Sequence, residues 1–420
     1  MPQPTLPPPG FSRRDHDLVC DGVPLADIAA AIGTPVYVYS AATIRDRYNA
    51  IDDAFDGYPH ALHYALKANS TLAIARLLHG LGSGVDANSV WEIEAARRAG
   101  FEPSQIVFTG VGKSPAELEC AVALGVKAIN VESAGELARV EAIAERLDRV
   151  ARVAMRLNPD IDAKSHPHIS TGLRINKFGV AMDEAVPLLF QLKQRPRLRL
   201  VAVHVHVGSQ ITSLEPLRRA ASFAAGVSLD LQNDGAPIEY VDLGGGLGVS
   251  YDGGEVPSPA AYVTSLLDEV RGSGLPVVLE PGRSIAAPAG ALVARVIDIK
   301  PRDAESEFAV IDAGMTELLR PALYNAFHRI EPVIDRAPAD RRYEVVGPVC
   351  ESSDVVGRDR ILPPLTAGDL VAIRDAGAYG AVMASNYNRR PLPAEVLVDN
   401  HEWRVIRRRQ TIDDQLALES

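Results

Sequence analysis

Cysteine is scarce in this chain. Cys20, Cys120 and Cys350 are its three thiols, and none forms a CxxC pair, which argues against a zinc site or a disulfide framework. Positive charge is in deficit too: 43 Lys and Arg against 54 Asp and Glu leave a formal net charge of -11. A nucleic-acid partner is not expected, because phosphates favour basic stripes. No stretch reaches the roughly 18 apolar residues of a membrane span. The opening MPQPTLPPPGFSRRD has no apolar run suited to a signal peptide, so a cytoplasmic protein is expected. There is no Walker loop, no GxGxxG with its acidic partner, and no internal repeat.

What is present is length and alternation. A chain of 420 residues is too long for one ordinary core and suits a large domain plus a smaller one. Its 47% hydrophobic and 23% charged residues are those of a soluble globular protein. The Pro-rich first ten residues read as a loose arm. Eight strand candidates follow: HALHYAL (60–66), GVDAN (84–88), IVFTG (106–110), AINVES (128–133), RVAMRLN (152–158), RLVAVHVHVGS (199–209), EYVDLG (239–244) and PVVLEPG (276–282). Helical spacing separates them, as in TLAIARLLHGLG, VWEIEAARRAG and SPAELECAVALG. The last opens with Ser114 and carries Glu117 three residues on, a capping-box pattern.

Eight strands alternating with helices predict an α/β fold, a (β/α)8 TIM-type barrel, with a doubly wound open sheet as the alternative. Past about residue 290 the pattern becomes strand-rich with little helix, predicting a C-terminal β domain. DLVCDGVPL, near residue 20, has the same character and is expected to join it. The expected division is 1–36 as N-terminal arm and strand of the β domain, 37–290 as barrel, and 291–420 as β domain. The long irregular segment 158–179 reads as a lid over the barrel, since loops of that length are usually functional.

Several segments carry candidate chemistry. Lys67 in YALKANS stands just past the first barrel strand, where side chains face a barrel's active site. It is either a Schiff-base lysine or an ordinary lysine at a strand end. The glycines of DLGGGLGVSY (242–251) either cradle an anion with their backbone N–H groups or make a tight turn. LEPGRS (279–284) ends the last strand. Together these two segments occupy the loops after strands seven and eight, where barrels place phosphate. Glu280 could pair a protonated ring nitrogen, or form an ion pair with Arg283. In HVHVGSQ (204–210), alternation puts His204 and His206 on one face; imidazoles there stack on a flat cofactor, bind metal, or sit in a core. No third ligand is evident, so no metal is expected. Cys350 in GPVCESSD is a candidate reactive thiol, or else a half-buried one. DAGAYGAVMASNYNRRP (375–391) reads as an ordered loop around something.

Taken in order, YALKAN, HVHVGSQ, GGGLG, EPGR, the CE pair, DAGAYG and SNYN resemble one family, the alanine-racemase-like, fold type III pyridoxal-phosphate decarboxylases. The likeness runs from about residue 35 to the C-terminus. One departure is Val205, where many members carry cysteine. The resemblance implies pyridoxal 5'-phosphate as cofactor, with Lys67 holding it covalently and His206 stacking on its ring. Ser209, Gly246 and the Gly282–Arg283 backbone would hold its phosphate, and Glu280 its ring nitrogen. Arg283, Arg320 and Tyr324, the last two in MTELLRPALYNAFH, would bind a distal carboxylate on the substrate. Glu351 would bind its distal ammonium, Tyr379 would lie near cofactor and substrate, and Cys350 would return a proton after CO2 leaves. The expected substrate is therefore a small amino acid with an amino-acid group at each end. Decarboxylation of a related diamino acid, racemisation, or a dead binding homologue are the alternatives; Glu280 speaks against a racemase. The resemblance also implies a homodimer with shared active sites. No membrane partner is expected.

Overall fold

The computed structural model describes residues 10–162, 171–172, 176–192 and 194–419. Contacts divide the chain into two compact units: residues 47–249 with 255–284, and residues 1–46 with 250–254 and 285–420.

The first unit is a closed barrel of eight parallel strands, His60–Ala65, Gly84–Ala87, Ile106–Phe108, Ala128–Val131, Ala151–Asn158, Leu198–His204, Tyr240–Asp242 and Val277–Leu279. Val277 pairs with His60 and Ile129 with Val153, which closes the ring. The strands are short, continuous apolar runs because both faces are covered, one by the interior and one by helices. Small residues line part of the interior: Ala128, Ala154, Val201 and Ala202 pack with Tyr240 and Val278. Helices begin where the sequence supplies caps. Ser114 accepts the Glu117 N–H at 3.3 Å while Glu117 accepts the Ser114 N–H at 3.0 Å. The helix Pro115–Leu124 stops at Gly125, which takes a left-handed φ of 68°.

The second unit is built on a sheet in the order Val355–Leu362, Arg341–Val346, Glu307–Ile311, Gly290–Pro301, Val36–Ser40, Ala394–Asp399, Glu402–Arg407. Gly290–Pro301 is long enough to serve three partners. Its first half pairs with Val36–Ser40 and Leu370–Ile373, its second half with Glu307–Ile311 past a bulge at 296–298. The final hairpin turns on Asn400 and His401, both at positive φ, as a two-residue primed turn demands. The DLVC segment forms a small sheet with Phe11–Arg14 and Val23–Pro24. Residues 37–46, expected at the start of the barrel, belong to this unit. So do 285–290. Val36–Ser40 is buried at all five positions and reads like a barrel strand, yet it pairs in parallel with Ala394–Asp399.

Candidate functional site

All eight barrel strands deliver polar side chains at their carboxyl ends: Lys67, Asp86, Thr109, Glu132, Arg156, His204, Asp242 and Glu280. Charged groups at the end of a buried strand have no structural reason to be there unless they meet partners. Lys67 sits in the 3-10 turn Leu66–Ala68, and its Nζ lies 3.1 Å from Asp86 Oδ2. Asp86 is fully buried and accepts from Asn88 Nδ2 at 3.2 Å. Burial alone would raise the Asp86 pKa. The Lys67 ammonium and the Thr109 hydroxyl outweigh it, so the carboxylate is held below its ordinary value.

Glu280 behaves oppositely. It is 4% exposed, and burial, reinforced by the nearby charge of Asp86, pushes its pKa up to about 8. Its Oε1 has no hydrogen-bond partner among the described residues. Its Oε2 lies 3.4 Å from His204 Nε2 without hydrogen-bond alignment. Asp242, also fully buried, is pushed well up by burial and by Glu280, while burial lowers His204 to about 4. His204, Asp242 and Glu280 offer atoms within 4.8 Å of one another. Two carboxyls that close in a dry interior cannot both ionise, so the cluster holds protons. Glu280, read from the sequence either as a ring-nitrogen partner or as an ion-pair partner of Arg283, is thus a proton-holding acid; Arg283 donates to Ser209 Oγ from Nε at 3.2 Å and from a terminal nitrogen at 3.1 Å.

The sixth strand ends at His204, so the alternation that was to put both histidines on one face of a strand stops short. His206 stands in the turn beyond, and its Nδ1 accepts the Gly245 N–H at 3.1 Å. Burial, then the charge of Lys67, keeps this imidazole well below its usual pKa and therefore neutral. The turn is tied to the glycine loop. Gln210 Nε2 donates to the Val249 carbonyl at 2.6 Å and its Oε1 accepts the Val249 N–H at 3.2 Å. The loop admits no side chains. A methyl on Gly245 would lie 2.4 Å from the Glu280 carbonyl oxygen. One on Gly246, at φ +121°, would lie 2.9 Å from the Gly208 carbonyl oxygen.

Behind the site is a buried network that the sequence reading missed. Arg156 donates to Glu132 at 2.8 Å, Lys113 to Glu136 at 2.5 Å, and the Gly179 N–H to Glu132 at 3.1 Å. Half of the expected lid, 163–170 and 173–175, lies outside the described residues.

The remaining predicted residues belong to the other unit. Arg320, 5% exposed, begins the short helix Arg320–Tyr324, with Tyr324 half-buried one turn on. Cys350 and Glu351 are exposed. Their turn is organised by buried Asp354, another residue missed from sequence, whose carboxylate accepts the N–H groups of Met315 at 2.6 Å and Val349 at 2.8 Å. Gly314 and Gly347 leave room for it, as a methyl on either would strike that carboxylate. Tyr379 is half-buried with a left-handed φ of 56°.

A neutral imidazole, a glycine loop, a serine–arginine pair, a paired lysine and a buried proton-holding acid gather at one barrel mouth, an arrangement whose chemistry fits a flat, phosphorylated, nitrogen-bearing cofactor. The family signature described as "Pyridoxal-dependent decarboxylase, pyridoxal binding domain" matches residues 41–287, and the chain belongs to this family. Pyridoxal phosphate is its cofactor. The chain is 45% identical over 410 residues to the diaminopimelate decarboxylase of Pseudomonas aeruginosa, covering 98% of both. It is 45% identical to that of Vibrio cholerae, covering 97% of this chain and 98% of the relative. Among solved structures, diaminopimelate decarboxylase from Helicobacter pylori complexed with L-lysine matches with a TM-score of 0.91 at 42% identity, over 94% of this chain and 98% of that one. The M. jannaschii enzyme in co-complex with L-lysine gives 0.93 at 35% identity, over 98% of both. Among the described residues no helix is long and apolar enough to cross a membrane.

Proposed function

We infer that this chain catalyses decarboxylation of meso-2,6-diaminopimelate to L-lysine and CO2, the last step of lysine synthesis. The observation that carries the reading is the pairing of Lys67 with buried Asp86 in a chain that aligns over nearly its full length with a diaminopimelate decarboxylase. When bound, the cofactor's conjugated ring takes up the electron pair left by departing CO2. The protein supplies position and charge. Lys67 would hold the cofactor through its ε-amino group, which Asp86 orients from 3.1 Å. Glu280 holds a proton toward the ring nitrogen. His206, being neutral, would stack on the ring without adding charge. Ser209, Gly246 and the Gly282–Arg283 backbone hold the phosphate.

The substrate's far end is an amino acid, so recognition needs both signs of charge. Arg283, Arg320 and Tyr324 take its carboxylate; arginine suits this because its planar fork can bond carboxylate in a bidentate way. Glu351 takes the distal ammonium, and Tyr379 lies by cofactor and substrate. Cys350 returns a proton to Cα. A substrate lacking the second carboxylate would forgo the arginine–carboxylate pairing, a penalty of roughly 3–5 kcal/mol that favours diaminopimelate over lysine or ornithine. The reading includes a cytoplasmic head-to-tail homodimer, in which one subunit presents Cys350 and Glu351 to its partner's barrel.

The test is incubation with meso-diaminopimelate and pyridoxal phosphate, following CO2 and L-lysine, together with borohydride reduction and peptide mapping. Stoichiometric CO2 and L-lysine with label on Lys67 are expected, and both should vanish in Lys67→Ala. Label elsewhere, or D-amino acid without CO2, would overturn the reading.

A further inference from the structure

Arg320 is held by a residue to which no role has been given. His328 is fully buried, and its Nε2 lies 2.8 Å from an Arg320 terminal nitrogen. Its Nδ1 lies 2.8 Å from the Arg374 carbonyl oxygen. The phenol ring of Tyr251, from the end of the glycine-loop segment, completes the group. The Arg320 Cζ stands 4.6 Å from its centroid, and the His328 ring meets it edge-on at 5.1 Å and 70°. These residues lie in one compact unit.

The direction of each hydrogen bond is forced. A guanidinium has donors only, so His328 Nε2 must accept. A backbone carbonyl accepts only, so Nδ1 must carry the proton. The imidazole is thus neutral in one tautomer, and its lone pair points at Arg320. Stacking on Tyr251 restricts the guanidinium plane as the imidazole restricts its edge. Loss of the Nε2 acceptor leaves one face of that constraint and removes the other.

We propose that His328 is a positioning residue for substrate recognition: it fixes the Arg320 guanidinium in the orientation that meets the substrate's distal carboxylate, and so sets affinity for carboxylate-bearing ligands without touching them. The proposal rests on the reading that Arg320 binds that carboxylate. Removing an acceptor from a buried charged donor weakens the interaction it supports by about 10–100-fold.

The experiment uses the cofactor-loaded enzyme. His328→Phe keeps the ring and its contact with Tyr251 but has no acceptor. KM for meso-diaminopimelate should rise about 10–100-fold while kcat changes less than about threefold. Calorimetric titration should show weakened binding of L-lysine, which carries the carboxylate, and unchanged binding of cadaverine, which lacks it. His328→Gln, whose side-chain oxygen reaches the Nε2 position, should restore most of the loss; His328→Asn, whose oxygen falls short at the Nδ1 position, should not. That Gln and Asn pair decides the matter if the Phe variant fails to fold. Equal weakening of lysine and cadaverine, or equal behaviour of Gln and Asn, would overturn the proposal, since a merely structural histidine gives that result. Arg320→Gln separates the two levels. If it leaves lysine affinity intact, the assignment of Arg320 fails. If it abolishes lysine affinity while His328→Phe does not change it, only the role of His328 fails.

Discussion

Replacing Arg156 by methionine should cost the barrel about 3–5 kcal/mol near neutral pH, because it leaves a buried carboxylate without its cation. Arg156 and Glu132 are 4% and 5% exposed, and Lys113 and Glu136 are 6% and 1% exposed. Two cations and two carboxylates therefore share a dry volume, and removal of one cation leaves an excess negative charge there. Methionine keeps an aliphatic side chain of similar length but removes the guanidinium, which lies 4.9 Å from the Phe178 ring centroid, so the loss is mainly electrostatic, cation–π attraction included. For a unit of this size the melting temperature should drop by roughly 6–20 °C. The pH dependence makes the argument specific. In the wild-type protein burial pushes Glu132 up, but Arg156, the Gly179 N–H and Lys113 outweigh it, and its pKa sits below the ordinary value. Its contribution is then present above the unfolded pKa and lost as pH falls through the folded one. Without Arg156 burial dominates and the folded pKa rises above the unfolded one, so the folded variant binds the extra proton and loses stability as pH rises. The gap between the two proteins should be widest near about pH 7.5 and narrow toward about pH 5. Thermal and urea unfolding of cofactor-free protein, followed by circular dichroism, measures it. Arg156→Met with Glu132→Gln should recover at least half the loss. An equal deficit at both pH values, or a double variant no better than the single, would refute the reasoning.

Glu280→Gln tests the proton-holding acid. Because its folded pKa is raised to about 8, the wild-type apoprotein should lose stability as pH climbs from the ordinary carboxyl range toward that value, as the unfolded chain releases the proton first. The variant should lack this decline, melting higher than wild type near about pH 9 while losing most of its kcat; parallel melting curves across pH would contradict the assignment. Mixing Lys67→Ala and Cys350→Ala subunits tests the shared site. Each homodimer should be inactive, and random re-association should return about a quarter of wild-type activity, since half the dimers would be hybrids with one intact site; no recovery in verified hybrids would mean the site is made within one chain.

The barrel was legible because its strands are short apolar runs with both faces covered, a pattern that survives without knowing the partners. Lys67, Glu280 and the glycine loop were legible for a related reason: each departs from what a buried strand or its turn would otherwise contain. Asp86, Glu132 and Arg156 carry the same signal, a charge at the end of a strand, yet each alone reads as an ordinary solvated residue. Arg156 and Glu132 are 24 positions apart, and only barrel closure shows that neither reaches water. Val36–Ser40 fails differently. A strand buried on both sides looks the same in either sheet, and its neighbour Ala394–Asp399 is too distant in sequence for any local pattern to reveal. His328 stood within the segment read for Arg320 and Tyr324, but a lone histidine carries no sign of which of its nitrogens will accept.

One barrel mouth drives two carboxyls in opposite directions, and that divergence assigns their work. Asp86 and Glu280 are both buried, so desolvation raises both. At Asp86 a cation 3.1 Å away reverses the effect; at Glu280 the same cation is only a partial offset, and the charge on Asp86 adds to the rise. Ionisation of the first therefore helps keep a proton on the second. Acid and base roles follow from environments that push like groups apart: on the proposed reading Asp86 would be the permanent anion that orients an amine, and Glu280 the acid whose proton is shared with a ring nitrogen. Exchange of the two side-chain lengths would not exchange these roles, because position relative to Lys67, not chemistry of the carboxyl, sets each one.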